Sequence, residues 1–426
     1  IRSDSDMYTL GYAFKPWTSA RAIADGPTIR DYVRETAAER GIDRHIRFGH
    51  RVVAADWSSA EALWRVRTET ADGPTDFACR FLVLAAGYYD YDGAHRPHWP
   101  GEDEFKGRLI HPQFWPEDLD YSGKHVAVIG SGATAVTLVP ELARKAAHVT
   151  MVQRSPSYIV SRPSVDFIAE WLKRWLPARA AYALTRWKNV LLTAFFYRLA
   201  RRRPDKVARK LIELARQDVG ERFDPADFTP LYKPWDQRLC LVPDGNLFKA
   251  IRNGNVTMAT GAIERFTGSG LRLATGETIE ADIIVAATGL RVMPLGRVAI
   301  SVDGRPADLP RTMVHKGMML SDVPNMMFIF GYTNASWTLK ADLACNYLVR
   351  LLKRMDAKGV RTAVARRDPS VAEIPFLDFT SGYVQRPLPL LPRQGALRPW
   401  RLYQNYLLDL LTLRFGKIED GTLALG

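Results

Sequence analysis

One segment constrains this chain more than any other. An apolar run, Lys124 to Ile129, passes directly into Gly130-Ser131-Gly132-Ala133-Thr134-Ala135 and then into residues with helical periodicity. Strand, glycine turn and helix in that order form the local plan of a dinucleotide-binding βαβ unit. The first glycine permits the tight turn and the second lets the backbone approach a pyrophosphate. The small Ala135 lets helix and strand pack closely, while N–H groups at the start of the helix meet the phosphates. The next strand, Val149 to Gln153, ends in Arg154-Ser155 and not in the Asp or Glu that would bind a ribose 2′-hydroxyl. A guanidinium at that point suits a 2′-phosphate, which a carboxylate would repel, so the segment predicts NADPH. A solvated arginine at a strand end is the plainer reading of Arg154.

Other segments alternate in the same way. Helices are expected over Pro27–Arg40, Ala133–Ala147, Leu247–Arg252 and Thr338–Met355. Strands are expected over His45–Trp57, Glu61–Thr70, Asp76–Ala85, Asn255–Thr260, Ala262–Thr267, Ile283–Ala287 and Asn325–Phe330. The tail from Pro375 reads as proline-rich and then helical. Alternating strands and helices predict an α/β protein with parallel sheet. Phe81 to Gly87 and Ile283 to Gly289 echo one another, each a buried run ending in two small residues and Gly. The pair suggests two dinucleotide-binding sheets, the plainer reading being that buried strands often end at Gly. The fold expected for the whole chain is α/β, with two Rossmann-like dinucleotide-binding domains, three-layered and doubly wound, and a helical insertion.

Cysteine and charge narrow the class. Cys79, Cys240 and Cys345 are scattered, which excludes a disulfide framework, a zinc ribbon and a redox CxxC pair, and gives no metal site. A reducing, cytoplasmic location fits that usage. No apolar run reaches the roughly 20 residues needed to span a bilayer. Lys and Arg total 59 against 46 Asp and Glu, a net charge of +13. Most of it sits between Trp171 and Lys210, which carries twelve Lys/Arg against the single acid Asp205, together with Trp171, Trp175, Trp187, Phe195 and Phe196. Two readings compete for this segment. It is a helical insertion with its apolar face on the core and its basic face in water, or an interfacial helix making peripheral membrane contact by laying Trp and Phe into anionic headgroups. Nucleic acid is not expected, since no helix-turn-helix, RNA-recognition or finger pattern accompanies the charge.

Just ahead of the glycine loop stands Phe105-Lys106-Gly107-Arg108-Leu109-Ile110-His111-Pro112-Gln113-Phe114-Trp115-Pro116. This resembles the FxGxxxHxxxWP fingerprint of Baeyer–Villiger monooxygenases, class B flavoproteins that use FAD, NADPH and O2. Arg2 to Tyr8, Pro234 to Cys240 and Gly331 to Lys340 are similar to the ethionamide-activating mycobacterial branch of that family, and the likeness runs the length of the chain. It implies a fingerprint of Phe105, Gly107, His111 and Trp115, with His111 coupling domain movement and not acting as an acid or base. It also implies domains at 1–123 (FAD-binding, N-terminally truncated), 124–290 (NADPH-binding, with the basic insertion at about 165–218) and 291–426 (return to the FAD domain plus C-terminal helices). The family opens with a strand, a GxGxxG loop and an acid for the FAD ribose. None of these lies ahead of Ile1, so the resemblance implies that about 50 residues are missing, comparable to one phosphate-binding βαβ unit.

The reaction implied is hydride transfer from NADPH to FAD, addition of O2 to give a flavin C4a-peroxide, and delivery of one oxygen atom to a ketone or to soft sulfur. Such a peroxide is held as an anion by a guanidinium, which stays charged. The resemblance assigns that catalytic role to Arg238, oriented by Asp4, with Arg2 and Ser3 lining the same flavin–nicotinamide junction. Val52 matches a strand residue at the FAD adenine. The bland readings are an Arg238–Asp236 ion pair, a capping role for Asp4 and plain core for Val52. The alternatives at the level of function are an N- or S-oxygenating flavin-containing monooxygenase, or a non-catalytic NADPH-binding protein at a membrane surface.

Overall fold

The computed structural model describes residues 1–426 and divides into two compact units. The first holds Ile1–Tyr8, Trp17–Ile29 and Tyr91–Arg291; the second holds Thr9–Pro16, Arg30–Asp90 and Val292–Gly426.

In the first unit, five parallel strands lie in the order Val256–Thr260, His148–Gln153, His125–Ile129, Ile283–Ala286, Arg108–Ile110. The sequences of the inner strands are nearly continuous apolar runs because both faces of the sheet are covered. Val126, Val128, Val149, Met151, Ile283 and Val285 face the helices Ala133–Leu142 and Asn246–Arg252. Their neighbours Ala127, Ile129, Val152, Ile284 and Ala286 face Phe266, Leu271, Leu273 and Ile279. The layer on this second face is thus a three-stranded antiparallel meander, Ile263–Thr267, Gly270–Leu273 and Thr278–Glu280, and not a helix.

The basic segment forms three helices, Phe167–Trp175, Ala178–Arg202 and Pro204–Val219, broken at Pro177 and Pro204. The inner face of the long middle helix buries Tyr182, Thr185, Arg186, Asn189 and Val190. Its outer face departs from the expectation of a basic face in water, since Leu184, Trp187, Leu191 and Phe195 are all exposed there. Several of the charges face inward instead. Arg186 donates to the Tyr8 carbonyl at 2.8 Å, and Lys188 donates to the Asp166 carboxylate at 2.7 Å.

The second unit is built on the Arg51–Ser58, Leu63–Thr70 and Gly73–Cys79 meander, extended by Ala299–Val302 and Arg305–Pro306. Trp57 and Trp64 are fully buried within it, ring centroids 5.7 Å apart. The single strand expected over Asp76–Ala85 is two strands in different sheets. Gly73–Cys79 closes the meander, whereas Leu82–Leu84 runs parallel to Met326–Phe328. Likewise, the strand expected from His45 begins at Arg51, because Asp43–His45 is a 3-10 turn. The helix Trp337–Lys358 is longer than expected, and the C-terminal helical stretch is short, Tyr406–Asp409 running into a π turn at Leu410–Phe415.

Candidate active site

His125–Ile129 has His148–Gln153 on one side and Ile283–Ala286 on the other. Its C-terminal end is therefore the topological switch point of the sheet, where open α/β sheets take ligands. The two glycines that follow do different work. Gly130 has φ +141° and donates its N–H to the Val152 carbonyl at 2.8 Å; a Cβ there would overlap the Ala287 carbonyl. Gly132, by contrast, caps the helix Ala133–Leu142, and a Cβ on it would meet nothing within 4 Å. Gly132 supplies no side-chain cap to that helix, whose first N–H groups have no partner within the helix itself. Ala135 is fully buried, as close helix–strand packing requires.

Ser131 and Ser155 come together, the Ser131 hydroxyl donating to the Ser155 carbonyl at 3.1 Å. Ser157, which no motif marks, donates to the Ser131 Oγ at 2.9 Å. Arg154 lies exposed at the end of its strand. The strand's last residue, Gln153, donates to the backbone carbonyl of Asp227 at 2.8 Å. This brings an acid to the strand end from 74 residues along the chain. The Asp227 carboxylate accepts from Thr260 at 2.6 Å, and burial pushes its pKa up.

A second group gathers beside the loop. Arg238 donates from Nη1 to Asp4 Oδ2 at 3.4 Å, a pair 234 residues apart in sequence. Asp236 accepts from Arg201 at 2.7 Å. Arg2 donates from Nη1 to the Leu241 carbonyl at 3.4 Å, while its Nε and Nη2 are buried with no partner. Burial holds the Arg2 guanidinium below the usual arginine value. Ser3 is fixed by its N–H to the Ala24 carbonyl at 2.9 Å and by its hydroxyl to the Ser5 carbonyl at 2.8 Å. The strand Cys240–Pro243 ties both groups together: Leu241 receives Arg2, and the Cys240 thiol donates to the Ser131 carbonyl at 3.6 Å. Burial pushes that thiol up to about 12, so it stays protonated. The insertion clamps the segment carrying these residues, because Asn189 donates to Asp6 at 2.9 Å just beyond Asp4.

The fingerprint is structural at each point it touches. Gly107 admits no Cβ, which would overlap the Asp282 carbonyl and the Phe105 ring. Phe105 packs edge-on to Phe266, and Trp115 edge-on to Tyr121. His111 Nδ1 accepts the Gln113 N–H at 3.1 Å, leaving Nε2–H to donate to the Gly289 carbonyl at 3.2 Å. Burial lowers the His111 pKa, and the nearby Arg96 lowers it further against the pull of the Gly289 carbonyl, so the ring is neutral near pH 7.

Val52 belongs to the second unit, on the strand Arg51–Ser58 and partly buried against that unit's core. A shallow apolar cleft, open to solvent, lies in the same unit beyond the ends of Leu82–Leu84 and Met326–Phe328. Leu84, Gly87, Tyr88, Leu295, Phe330 and Phe376 line it. Parallel strand ends opening on an apolar cleft are a usual place for a ligand. Sequence spacing could not find it, because its walls come from seven separate stretches of chain.

With this geometry in hand, the comparisons with known proteins agree on the class. The flavin-binding monooxygenase-like family model matches residues 23–294, and the chain belongs to that family. It is similar to the FAD-containing monooxygenase EthA of Mycobacterium tuberculosis H37Rv, 54% identical over 423 residues that span 99% of this chain and 86% of that protein. EthA of Mycolicibacterium smegmatis is 49% identical over 426 residues, 99% of this chain and 87% of that one. An oxidised steroid monooxygenase bound to NADP superposes with a TM-score of 0.73 over 100% of this chain and 90% of its own, at 22% identity, a likeness of fold.

Proposed function

We propose that the chain is an FAD- and NADPH-dependent monooxygenase that places one oxygen atom of O2 into a small-molecule ketone, as an ester or lactone, or onto soft sulfur. The observation that carries this reading is the Arg238–Asp4 pair, set beside the glycine loop by a strand that also receives Arg2. The residues fit the two cofactors. The uncapped helix and the open face of Gly132 suit a pyrophosphate, and the two partnerless N–H-bearing nitrogens of Arg2 suit an anionic or carbonyl edge. We assign 124–290 to NADPH binding and 291–426 with Arg30–Asp90 of the second unit to FAD; the expected boundary at 123 moves forward, because Arg108–Ile110 is the edge strand of the 124–290 sheet.

When bound, NADPH supplies the hydride and FAD the activation of O2. The chain's own part is binding, orientation and charge. Gly130 to Ala135 cradle a pyrophosphate and Arg154, with Ser155 beside it, meets the 2′-phosphate. Arg238 brings its guanidinium charge to the reacting centre, and Asp4 fixes its direction. Ser3 holds the turn that aims Asp4. Val52 packs at the adenine end of FAD. Neutral His111 ties the fingerprint to Gly289 at the end of a sheet strand, so movement of one moves the other.

The test is the visible absorption spectrum of the chain with FAD supplied, before and after anaerobic NADPH. A flavin band that NADPH bleaches, followed on admission of air by ester from a ketone or sulfoxide from a sulfide, is the expected result. Bound flavin that NADPH leaves oxidised overturns the reading.

A further inference from the structure

The face of the insertion turned away from the core is apolar where a soluble helix is normally polar. On the long helix Ala178–Arg202, residues Leu184, Trp187, Leu191 and Phe195 recur every three or four positions and form one stripe. Leu191 is 50% exposed and Phe195 58%. The helix Phe167–Trp175 packs against it and carries a second stripe, Phe167, Trp171 and Trp175, with Trp171 59% and Trp175 74% exposed. Exposed large apolar side chains recurring at helical spacing on two packed helices mark an interaction site.

What rims the stripes identifies the partner. Arg174 and Arg179 are exposed at one end; Arg198, Arg202, Arg203, Lys206, Arg209 and Lys210 are exposed at the other, with Asp205 the only acid among them. Four further charges are taken up by partners within the chain. Lys173 serves Glu170, Arg186 the Tyr8 carbonyl, Lys188 Asp166 and Arg201 Asp236. Of the exposed charges that remain, Arg198 and Arg202 continue the long helix's stripe at its C-terminal end, and Arg174 and Arg179 lie at the junction of the two helices.

We propose that this face seats on an anionic lipid surface, with the aromatic and leucine stripes entering the headgroup–acyl boundary and the arginine-rich rim meeting lipid phosphates. Tryptophan and phenylalanine on one face with Lys and Arg beside them is the arrangement of an interfacial helix. The rim's basic residues reach anionic headgroups with their stems along the apolar edge. A second copy of the chain fits less well, since isologous pairing would set two arginine-rich rims close together. A single-stranded nucleic acid also fits less well. Bases stack on aromatic rings, whereas Ile168, Leu184, Leu191 and Leu192 make up much of this surface. No helix is long and apolar enough to cross a membrane, so the contact is peripheral.

The experiment is cosedimentation of the full chain with vesicles of phosphatidylcholine containing about one-third phosphatidylglycerol, read alongside quenching of tryptophan fluorescence by brominated lipid. Two variants accompany it, Trp175→Ser/Leu191→Ser/Phe195→Ser and Arg198→Glu/Arg202→Glu/Arg203→Glu. All six side chains are exposed, so both variants are expected to fold, with circular dichroism as the check. The expected result is binding to the anionic vesicles that each variant weakens by at least roughly tenfold, with less binding to pure phosphatidylcholine. Absence of binding by the parent chain, or binding unchanged in both variants, overturns the proposal. So does a dimer in sedimentation velocity that the same substitutions split, or tighter capture by single-stranded DNA than by vesicles. None of these readouts depends on flavin reduction, so this proposal and the monooxygenase reading stand or fall separately.

Discussion

The two glycines of the nucleotide loop look alike in sequence and differ in what they tolerate. Gly130→Ala forces a Cβ against the Ala287 carbonyl at positive φ and is expected to cost about 1–3 kcal/mol, read as a lowered unfolding midpoint in denaturant. Gly132→Ala meets open space at an ordinary φ of −85°, so the fold should hold its stability. The added methyl would instead occupy the phosphate's approach and weaken NADPH binding about tenfold in a titration. Equal loss of stability in both variants would break the distinction. Arg154→Ala is expected to raise KM for NADPH at least tenfold and leave KM for NADH nearly unchanged in steady-state kinetics. Residue identity was readable in the sequence where chemistry demands one residue at one spacing, as at Gly130 and Gly132, whereas Gly107 stood out only through the resemblance of its segment to a family fingerprint. Ser157, Asp227 and the Gly289 carbonyl were not readable, because each reaches its partner through the fold and carries no local signature.

Elements show where periodicity informs and where it fails. The run Asp76–Ala85 has the composition of one strand, yet its halves pair with different partners, and a strand's partner is a property of the sheet and not of the run. One helix start inside the expected insertion, about 165–218, rests on a capping residue that the sequence reading did not single out. Asp166 accepts the Ala169 N–H at 3.0 Å and so begins the helix Phe167–Trp175. The same carboxylate receives Lys188 from the neighbouring helix; despite burial, which alone would raise it, these bonds hold its pKa below the ordinary carboxylate value. Asp166→Ala should therefore destabilise by more than the ~1 kcal/mol of a lost cap, because it also leaves a half-buried ammonium unpaired. Asp166→Asn keeps the cap and loses only the charge. Urea unfolding should rank the parent above Asn and Asn above Ala; equal losses would place the whole effect in the ion pair.

At the scale of the molecule, alternation of strands and helices gave the α/β class, and the strand order around His125–Ile129 follows the usual logic of that class. The antiparallel layer over the second face was beyond reach, since short strands announce neither their sheet nor their side. Acid stability is a whole-molecule property that one buried group bears on. His315 is fully buried, accepts or donates one bond to Thr422 at 2.9 Å and has Nδ1 without a partner. Desolvation depresses its pKa well below the ordinary 6.5, with Lys316 adding to the effect and Asp420 opposing it. The unfolded chain therefore takes up a proton below that value that the folded chain refuses. Stability contributed by this site is present above pH 6.5 and is lost as the pH falls below it. The melting temperature should drop between about pH 7 and about pH 5, and His315→Gln should flatten that drop. An equal drop in both proteins would assign it to other groups.

The interleaving of the two units sets a timetable for synthesis. Ala54 pairs with Ala299, so the meander that begins at Arg51 leaves the ribosome with one flank bare until some 245 further residues have been made. At about 5–20 residues per second that interval is about 12–50 s. Throughout it, the hairpin carrying Trp57 and Trp64 presents an open strand edge and two large indoles to whatever else is in solution. Output of native protein should thus depend on chaperone supply and growth temperature more steeply than final stability would suggest.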